Sequence, residues 1–269
     1  MGKDMTRCSV LMYHGLYANE REYQAIDAAD RPYAVSTQRF TEQLQAMQRS
    51  RLNIIDPGQL GSPAMSAGGV VLTFDDGHAS NHRHALPILQ QLGLKAVFFV
   101  TSDFMERRPG FCSWAQLREM ADQGMTIGSH GRTHRFLDDL SDAEAMAELS
   151  DSKQAIEQGI GRGIDQVSFP GGRFSVRQLA LWQPLGYRAF HSSRVAAAPA
   201  RPVQPGDVLP RLAIRRDTSL PDVLAMAQAD RRWLMRATAL ASAKQLVRRL
   251  AGNRLYHHLY ERLHPQTRG

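Results

Sequence analysis

The chain has 269 residues, of which 43% are hydrophobic and 22% are charged, and it carries a net charge of +7. This length is enough for one large domain with a full core. Its two cysteines, Cys8 and Cys112, exclude a disulfide framework, and the lack of any run of 18 apolar residues excludes a spanning helix. The first ten residues do not resemble a signal peptide, so we expect a cytoplasmic protein or one that binds a membrane peripherally.

Predicted strands and helices alternate along the chain. The predicted strands span 8–13, 53–55, 69–74, 96–100, 125–129, 166–169, 187–191 and 209–214. The predicted helices span 39–49, 85–92, 114–123, 141–158, 175–183 and 220–227, with Ser113 and Ser141 as N-caps. Residues 16–35 lack a pattern and are predicted to form a long loop. The alternation predicts an α/β fold with a parallel sheet closed into a barrel, whose active face lies at the C-terminal ends of the strands.

Two short motifs stand at the ends of predicted strands: Thr73-Phe74-Asp75-Asp76-Gly77 and Ser129-His130-Gly131-Arg132-Thr133-His134. Taken alone, Asp-Asp-Gly is typical of a turn, and pairs of histidines four residues apart occur by chance on helix surfaces. The two motifs together supply one carboxylate and two imidazoles, which can hold a divalent metal while leaving positions open for water and substrate. The remaining carboxylate can act as a base beside the metal.

These motifs resemble those of the polysaccharide deacetylases of the NodB-homology type, carbohydrate esterase family four. The resemblance covers roughly residues 8–220, and Phe169-Pro170-Gly171-Gly172 is similar to the third family motif. Leu11-Met12-Tyr13-His14 resembles the subgroup that deacetylates poly-N-acetylglucosamine and related exopolysaccharides. The resemblance implies a distorted (β/α)7 barrel.

The resemblance also implies a role for each residue of the site. Asp75 would be the general base, and Asp76, His130 and His134 would bind a divalent metal, either Zn²⁺ or its alternatives Co²⁺ and Ni²⁺. A water molecule on the metal would attack the acetyl carbonyl after Asp75 takes its proton. The metal and the turn formed by Pro170, Gly171, Gly172 and Arg173 would bind the substrate and the oxyanion. The implied substrate is an N-acetylhexosamine in a polysaccharide or glycolipid, which would lose its N-acetyl group as acetate.

Two departures from the family pattern affect the expected mechanism. Ser168 stands where the third motif has an arginine that steadies the base, so Arg173 is either its substitute or an ordinary surface residue. The last predicted strand, 209–214, lacks the histidine that serves as general acid in the family. Because the first strand of a closed barrel neighbours the last, we predict that His14 is the replacement acid or a substrate-binding group. The alternatives are a His14 that only hydrogen-bonds at the barrel mouth, and His191 as the acid.

The positive charge is concentrated at the C-terminal end. Residues 231–269 carry a net charge of +8, and the rest of the chain carries −1. We therefore divide the chain into a catalytic domain, residues 1–228, and a basic helical extension, residues 229–269. The extension either packs on the barrel with a solvated basic face or contacts an anionic membrane peripherally. No segment resembles a base-reading module, so no nucleic acid partner is expected.

Two alternatives to an N-deacetylase remain open at this point. The same site can hydrolyse an O-acetyl ester, because both reactions begin with attack on an acetyl carbonyl. The missing arginine and histidine also allow a glycan-binding pseudoenzyme, although Asp75, Asp76, His130 and His134 are all present.

Overall fold

The computed structural model describes residues 7–243, which contain twelve strands and, before the helical segment 231–243, seven α-helices. The strands are β1 (Arg7–Tyr13), β2 (Leu16–Tyr17), β3 (Val35–Ser36), β4 (Ile54–Ile55), β5 (Gly69–Phe74), β6 (Val97–Val100), β7 (Thr126–Ser129), β8 (Gln166–Ser168), β9 (Ala189–His191), β10 (Ala198–Pro199), β11 (Asp207–Leu209) and β12 (Leu212–Ala213). The helices are α1 (Glu20–Ala25), α2 (Thr37–Arg49), α3 (Leu86–Gln91), α4 (Trp114–Asp122), α5 (Asp142–Ile160), α6 (Val176–Trp182) and α7 (Leu220–Ala227). Residues 231–243 are also helical.

Seven parallel strands form the main sheet. The strand order β1-β5-β6-β7-β8-β9-β11 is parallel throughout, β4 adds to β5, and β10 pairs antiparallel with the start of β1. The predicted α/β barrel is confirmed, and so are the predicted N-caps Ser113 of α4 and Ser141 of α5, each of which forms a capping box.

The barrel closes where its last predicted strand is interrupted. The predicted strand 209–214 is two strands in the structure, because β11 pairs with β9 while β12 pairs with Leu11 and Met12 of β1. Pro210 lies between them, and proline has no N–H to continue a ladder. The chain therefore crosses from one edge of the sheet to the other at Pro210 and Arg211, and the Arg211 side chain is buried there.

Alternate residues of the strands pack in two hydrophobic clusters. Leu11 and Leu72 belong to the larger cluster with the surrounding helices, whereas Val10, Val71 and Leu209 belong to a smaller one. Side chains alternate along a strand, so Val71, Thr73 and Asp75 share one face of the chain. The smaller cluster thus lies on the same face as Asp75 and supports the site from below.

The segment 16–35 was predicted to be an irregular loop, and this prediction is wrong. It contains α1, and β2 pairs in parallel with β3. The Asn19 side chain caps α1 by accepting a hydrogen bond from the Glu22 amide at 3.0 Å. The polar composition concealed this short helix, which lies beside the barrel mouth.

The described start of the basic extension packs on the barrel. Leu234 is buried, the Trp233 indole donates to Asp222 at 3.0 Å, and the Thr238 hydroxyl donates to the Val195 carbonyl at 3.2 Å. The predicted membrane contact of residues 231–269 falls largely outside the described residues and stays a prediction. Among residues 7–243, no helix has the length and apolarity that crossing a membrane requires.

Candidate metal centre and active site

The turn after β5 separates two adjacent carboxylates. The Asp75 amide donates to the Tyr13 carbonyl at 2.9 Å, which extends the ladder between β1 and β5 by one residue. Asp76 then has a φ of +76°, in the left-handed region that asparagine and aspartate tolerate better than most residues. At Gly77, where φ is +85°, a Cβ would lie 2.9 Å from Val100 Cγ1. This turn keeps Asp75 inside the barrel and aims Asp76 at its mouth.

The two histidines of the second motif lie on a loop, not on a helix. The His130 amide donates to the Val100 carbonyl at 2.8 Å as β7 ends, and Gly131 and His134 then adopt φ values of +76° and +65°. These left-handed residues fold the chain back so that the two imidazole centroids are 5.0 Å apart. The helical spacing of the pair therefore has no structural role here.

A buried carboxylate holds this loop in place. One oxygen of Glu148 on α5 accepts hydrogen bonds from the Thr133 amide and, at 2.9 Å, from the Thr133 hydroxyl. Glu148 is 6% exposed, so both contacts are sheltered from water. The loop between the two histidines is thus fixed from behind.

Asp76, His130 and His134 converge on one point. Their potential ligand atoms all lie within 4.8 Å of one another. The Nε2 atoms of His130 and His134 are each 3.4 Å from Asp76 Oδ1, and that oxygen is buried without a hydrogen-bond partner among the described residues. A buried carboxylate oxygen without a partner is costly unless a cation satisfies it. One carboxylate and two imidazoles therefore fit a divalent metal such as Zn²⁺.

Protonation of His130 also suits a ligand. Its Nδ1 lies 2.9 Å from the Ser168 carbonyl, which can only accept, so Nδ1 carries the proton and Nε2 presents its lone pair to the centre. Burial lowers the pKa of His130 to about 4, which leaves this ring neutral at neutral pH. Burial also opposes a charge on His134, but the neighbouring Asp76 carboxylate raises its pKa overall.

The second carboxylate, Asp75, is clamped by Arg211. Arg211 Nη1 and Nη2 each donate to one oxygen of Asp75 at 2.7 Å, and Nη2 also donates to the Ser168 hydroxyl at 2.6 Å. Ser168 in turn donates to Asp75 Oδ2 at 3.2 Å. Burial opposes ionisation of Asp75, but Arg211 and then His130 lower its pKa to about 2. Asp75 Oδ2 lies 3.8 Å from His130 Nε2, which places this carboxylate beside the metal ligands.

Comparison with known proteins agrees with this geometry. Residues 63–190 match the sequence model of the polysaccharide deacetylase family. Over this segment the chain is similar to polysaccharide deacetylases. It is 30% identical over 129 residues to YxkH, a polysaccharide deacetylase-type protein of Bacillus subtilis, and 29% identical over 99 residues to the chitin deacetylase of Colletotrichum lindemuthianum.

These two alignments cover 48% and 36% of the chain, and 46% and 40% of the relatives. The chain thus spans less than half the length of the curated relatives it matches. Its fold is similar to that of the Streptococcus pyogenes deacetylase PplD, solved in complex with acetate. The TM-score is 0.70 at 24% identity, over 82% of this chain and 98% of PplD.

The arginine beside Asp75 is Arg211, and of the two alternatives for Arg173 the structure favours the surface residue. Arg173 donates instead to Asp138 at 3.0 Å and to Asp139 at 2.5 Å, on the surface, and its guanidinium covers the Phe136 ring. The alternative in which Arg173 steadies the base is wrong, because the guanidinium beside Asp75 belongs to Arg211, between β11 and β12. A role for Arg173 in substrate binding stays a prediction.

The turn after β8 contributes fewer donors than predicted. The Gly172 amide donates to the Phe169 carbonyl at 2.7 Å, and the Arg173 amide donates to the Pro170 carbonyl at 3.3 Å. Both amides are therefore engaged within the turn, and the amide of Gly171 is the better candidate for an oxyanion contact. A Cβ on Gly172 would lie 2.3 Å from the Ser193 amide nitrogen, so glycine is required there for close approach of two loops.

The two histidines considered as general acid differ in their access to the mouth of the domain. His14 is half-buried at the end of β1, its Nδ1 has no partner among the described residues, and its ring packs 4.7 Å from Tyr33. Burial lowers the pKa of His14, while Asp76 and Asp75 oppose this shift. His191 is fully buried, with Nε2 3.2 Å from Gln166 Oε1. His191 cannot reach a leaving group at the surface, so that alternative is wrong.

Proposed function

We propose that the protein is a metal-dependent deacetylase that removes the N-acetyl group of an N-acetylhexosamine unit in a polysaccharide or glycolipid. The supporting observation is that two adjacent carboxylates have different hydrogen-bond partners. Asp76 has a buried oxygen that lacks a protein partner and faces two imidazoles, whereas Asp75, next to it in sequence, is saturated by Arg211 and Ser168. The family match to polysaccharide deacetylases supports a carbohydrate substrate.

Asp76, His130 and His134 would hold the cation, and each is already oriented for that task. A divalent cation at this position would acidify water and polarise the acetyl carbonyl. The His130 tautomer is set by Ser168, and the His134 loop is fixed by Glu148. The deacetylase domain thus presents its ligands with little reorganisation.

Asp75 would accept the proton of the attacking water. Its pKa of about 2 keeps the carboxylate ionised throughout the working range, at the cost of weak basicity. Arg211 prevents the carboxylate from rotating, because both oxygens are held at 2.7 Å. Proton acceptance at this site therefore depends on position more than on a high pKa.

The proposal is tested by acetate release from purified protein on N-acetylglucosamine oligomers. We expect release to vanish after chelation and to return when Zn²⁺, Co²⁺ or Ni²⁺ is added. Release from O-acetyl sugars but not from N-acetyl oligomers would make the protein an esterase. Metal binding without turnover on either class would favour a glycan-binding protein and contradict our proposal.

His14 is our candidate for the group that protonates the leaving amine. His14→Ala should lower kcat by about 10²–10⁴, the usual contribution of a positioned general acid. A role limited to substrate binding would raise KM instead and leave kcat near its original value. His82→Ala is the matched control, since His82 lies outside the centre and binds Glu119 at 2.9 Å. An unchanged kcat in His14→Ala would exclude proton transfer by this residue.

A further inference from the structure

The helical segment 231–243 has an inner and an outer face. The inner face holds Leu234, which is buried against the barrel, and the partly buried Trp233 and Ala237. The Trp233 amide donates to Asp230 Oδ1 at 2.7 Å, so Asp230 caps the start of the helix. These contacts fix the rotation of the helix about its axis and leave the outer face exposed to solvent.

The outer face combines arginines with exposed apolar side chains. Arg232 and Arg236 are four residues apart, which makes them neighbours on the helix surface, and Leu240 follows at the same interval. Met235 lies three residues after Arg232, and Arg231 is also exposed. Met235 is 56% exposed and Leu240 is 60% exposed. The outer face is therefore positively charged and partly apolar.

The arginines of this face lack acidic partners. Their side chains form no hydrogen bond or ion pair with any other residue of the described range 7–243. Arg177 on α6, by contrast, binds Asp142 at 2.8 Å. The sequence explains the difference, because residues 231–260 contain seven lysines and arginines and no aspartate or glutamate. A basic segment without acids cannot neutralise its own charge, so it is complementary to an anionic partner.

The helix is attached to the barrel near the proposed active site. The Thr238 hydroxyl donates to the carbonyl of Val195, in the loop that follows β9. Two residues earlier in this loop, Ser193 packs closely against Gly172 in the turn after β8. Both segments leave the C-terminal ends of parallel strands, where the proposed metal ligands also lie. A surface bound by the outer face is thus held close to the metal centre.

We propose that the outer face, formed by Arg231, Arg232, Met235, Arg236 and Leu240, is a docking surface for a membrane that contains anionic lipids. The guanidinium groups pair with lipid phosphates, and the two apolar side chains enter the boundary between the headgroups and the acyl chains. A nucleic acid or another soluble polyanion would satisfy the arginines but would leave Met235 and Leu240 in water. The docking surface itself does not depend on the proposed function.

The test measures how much of the full chain sediments with lipid vesicles. We expect binding to vesicles of mixed phosphatidylcholine and phosphatidylglycerol, weaker binding as the salt concentration rises, and no binding to pure phosphatidylcholine. Arg232→Gln combined with Arg236→Gln should lower the partition coefficient by about 25-fold, because each basic residue near an anionic surface contributes roughly fivefold. Leu240→Gln keeps every charge and should still weaken vesicle binding, since its apolar contact is lost.

A second double variant controls for net charge. Arg49→Gln combined with Arg118→Gln removes the same charge from exposed positions on α2 and α4, and it should change the partition coefficient by less than about twofold. Equal losses in the two double variants would overturn the docking surface. So would equal binding to both kinds of vesicle, or retention on heparin, a soluble polyanion, without binding to vesicles.

Docking would narrow the substrate of the proposed deacetylase to a glycolipid, a consequence that rests on the proposed function. An active face held at a membrane meets sugars whose lipid lies in that membrane, whereas a polymer in solution gains nothing from docking. The measurement is the ratio of kcat/KM on a vesicle-embedded N-acetylglucosamine glycolipid to kcat/KM on a soluble oligomer. We expect this ratio to fall about tenfold or more in Arg232→Gln with Arg236→Gln, and to persist in Arg49→Gln with Arg118→Gln.

The two experiments separate failure of the docking surface from failure of the proposed function. Vesicle binding needs no turnover. Absence of acetate release from both substrates, together with vesicle binding that depends on Arg232 and Arg236, would refute the deacetylase proposal and retain the docking surface. Acetate release with an unchanged ratio in the Arg232 and Arg236 variant would overturn the glycolipid substrate.

Discussion

Replacing Arg211 with Met is expected to lower the free energy of unfolding by about 3–5 kcal/mol at pH 7. The substitution leaves the buried Asp75 carboxylate without its two guanidinium hydrogen bonds, and it also removes the donors to Thr73 and Ser192. Methionine fills much of the same volume, so the loss comes mainly from the unpaired charge and not from a cavity. Chemical denaturation followed by circular dichroism gives the difference directly.

The chain offers a matched surface pair as control. Arg177 contacts Asp142 through the same two-pronged geometry, at 2.5 and 2.8 Å, but its side chain is 71% exposed. Arg177→Met should therefore change the free energy of unfolding by no more than about 1 kcal/mol. Equal effects of Arg177→Met and Arg211→Met would show that the buried clamp adds nothing beyond an ordinary ion pair.

The same comparison has a distinct pH dependence. The pKa of Asp75 is about 2 when folded and has an ordinary value of 3.8, so its ionised form stabilises the fold above about pH 4. This contribution, on the order of 2–3 kcal/mol, is lost as the pH falls through 2. In Arg211→Met the buried Asp75 has a raised pKa and contributes no such stabilisation. The stability difference between the two proteins should thus be largest near neutrality and shrink towards pH 2.

Asp75→Asn is expected to lower kcat for acetate release by about 10²–10⁴ while leaving metal binding intact. Asparagine keeps the shape of the side chain but cannot accept the proton of a water molecule. The three proposed ligands are unchanged, so zinc stoichiometry and affinity should stay close to those of the unmodified protein. Because Arg211 loses its counter-ion, the folded fraction must be measured alongside the rate.

Substitution of the neighbouring carboxylate, Asp76, is expected to affect metal binding. Asp76→Asn removes the oxygen that faces His130 and His134, and it should weaken metal binding by more than about 100-fold. Retained zinc affinity in Asp76→Asn, or undiminished kcat in Asp75→Asn, would show that the two roles have been assigned incorrectly. Rates measured at saturating metal distinguish these outcomes.

Much of the centre could be predicted because its residues lie next to strand ends. Asp75 and Asp76 follow β5, and His130 follows β7. Because parallel strands end at the same edge of a sheet, predicting these two strands correctly is enough to predict that the three residues lie at that edge. The loop that carries His134 could not be predicted in detail. Its path depends on left-handed φ values and on a carboxylate, Glu148, that belongs to the next helix.

The partner of Asp75 could not be found from motifs alone. The resemblance to the family implies an arginine where this sequence has Ser168, and Arg173 is the nearest candidate along the chain. The actual donor, Arg211, is 136 residues from Asp75. It reaches Asp75 because the chain leaves β11 at Pro210 and then pairs with β1 as β12. A prediction of 209–214 as one continuous strand hides this break. The signal that could have revealed it is a proline followed by an arginine within an otherwise apolar strand.

The late position of Pro210 and Arg211, where the barrel closes, affects the order in which the site forms during synthesis of the chain. A nascent chain that has just passed His134 already contains all three proposed metal ligands, yet the residue that restrains Asp75 is still 77 positions from being added. Non-local contacts of this kind form late, since the loop they close is long. We therefore expect metal capture to precede barrel closure on the ribosome, and the proposed site becomes complete only when β12 joins β1.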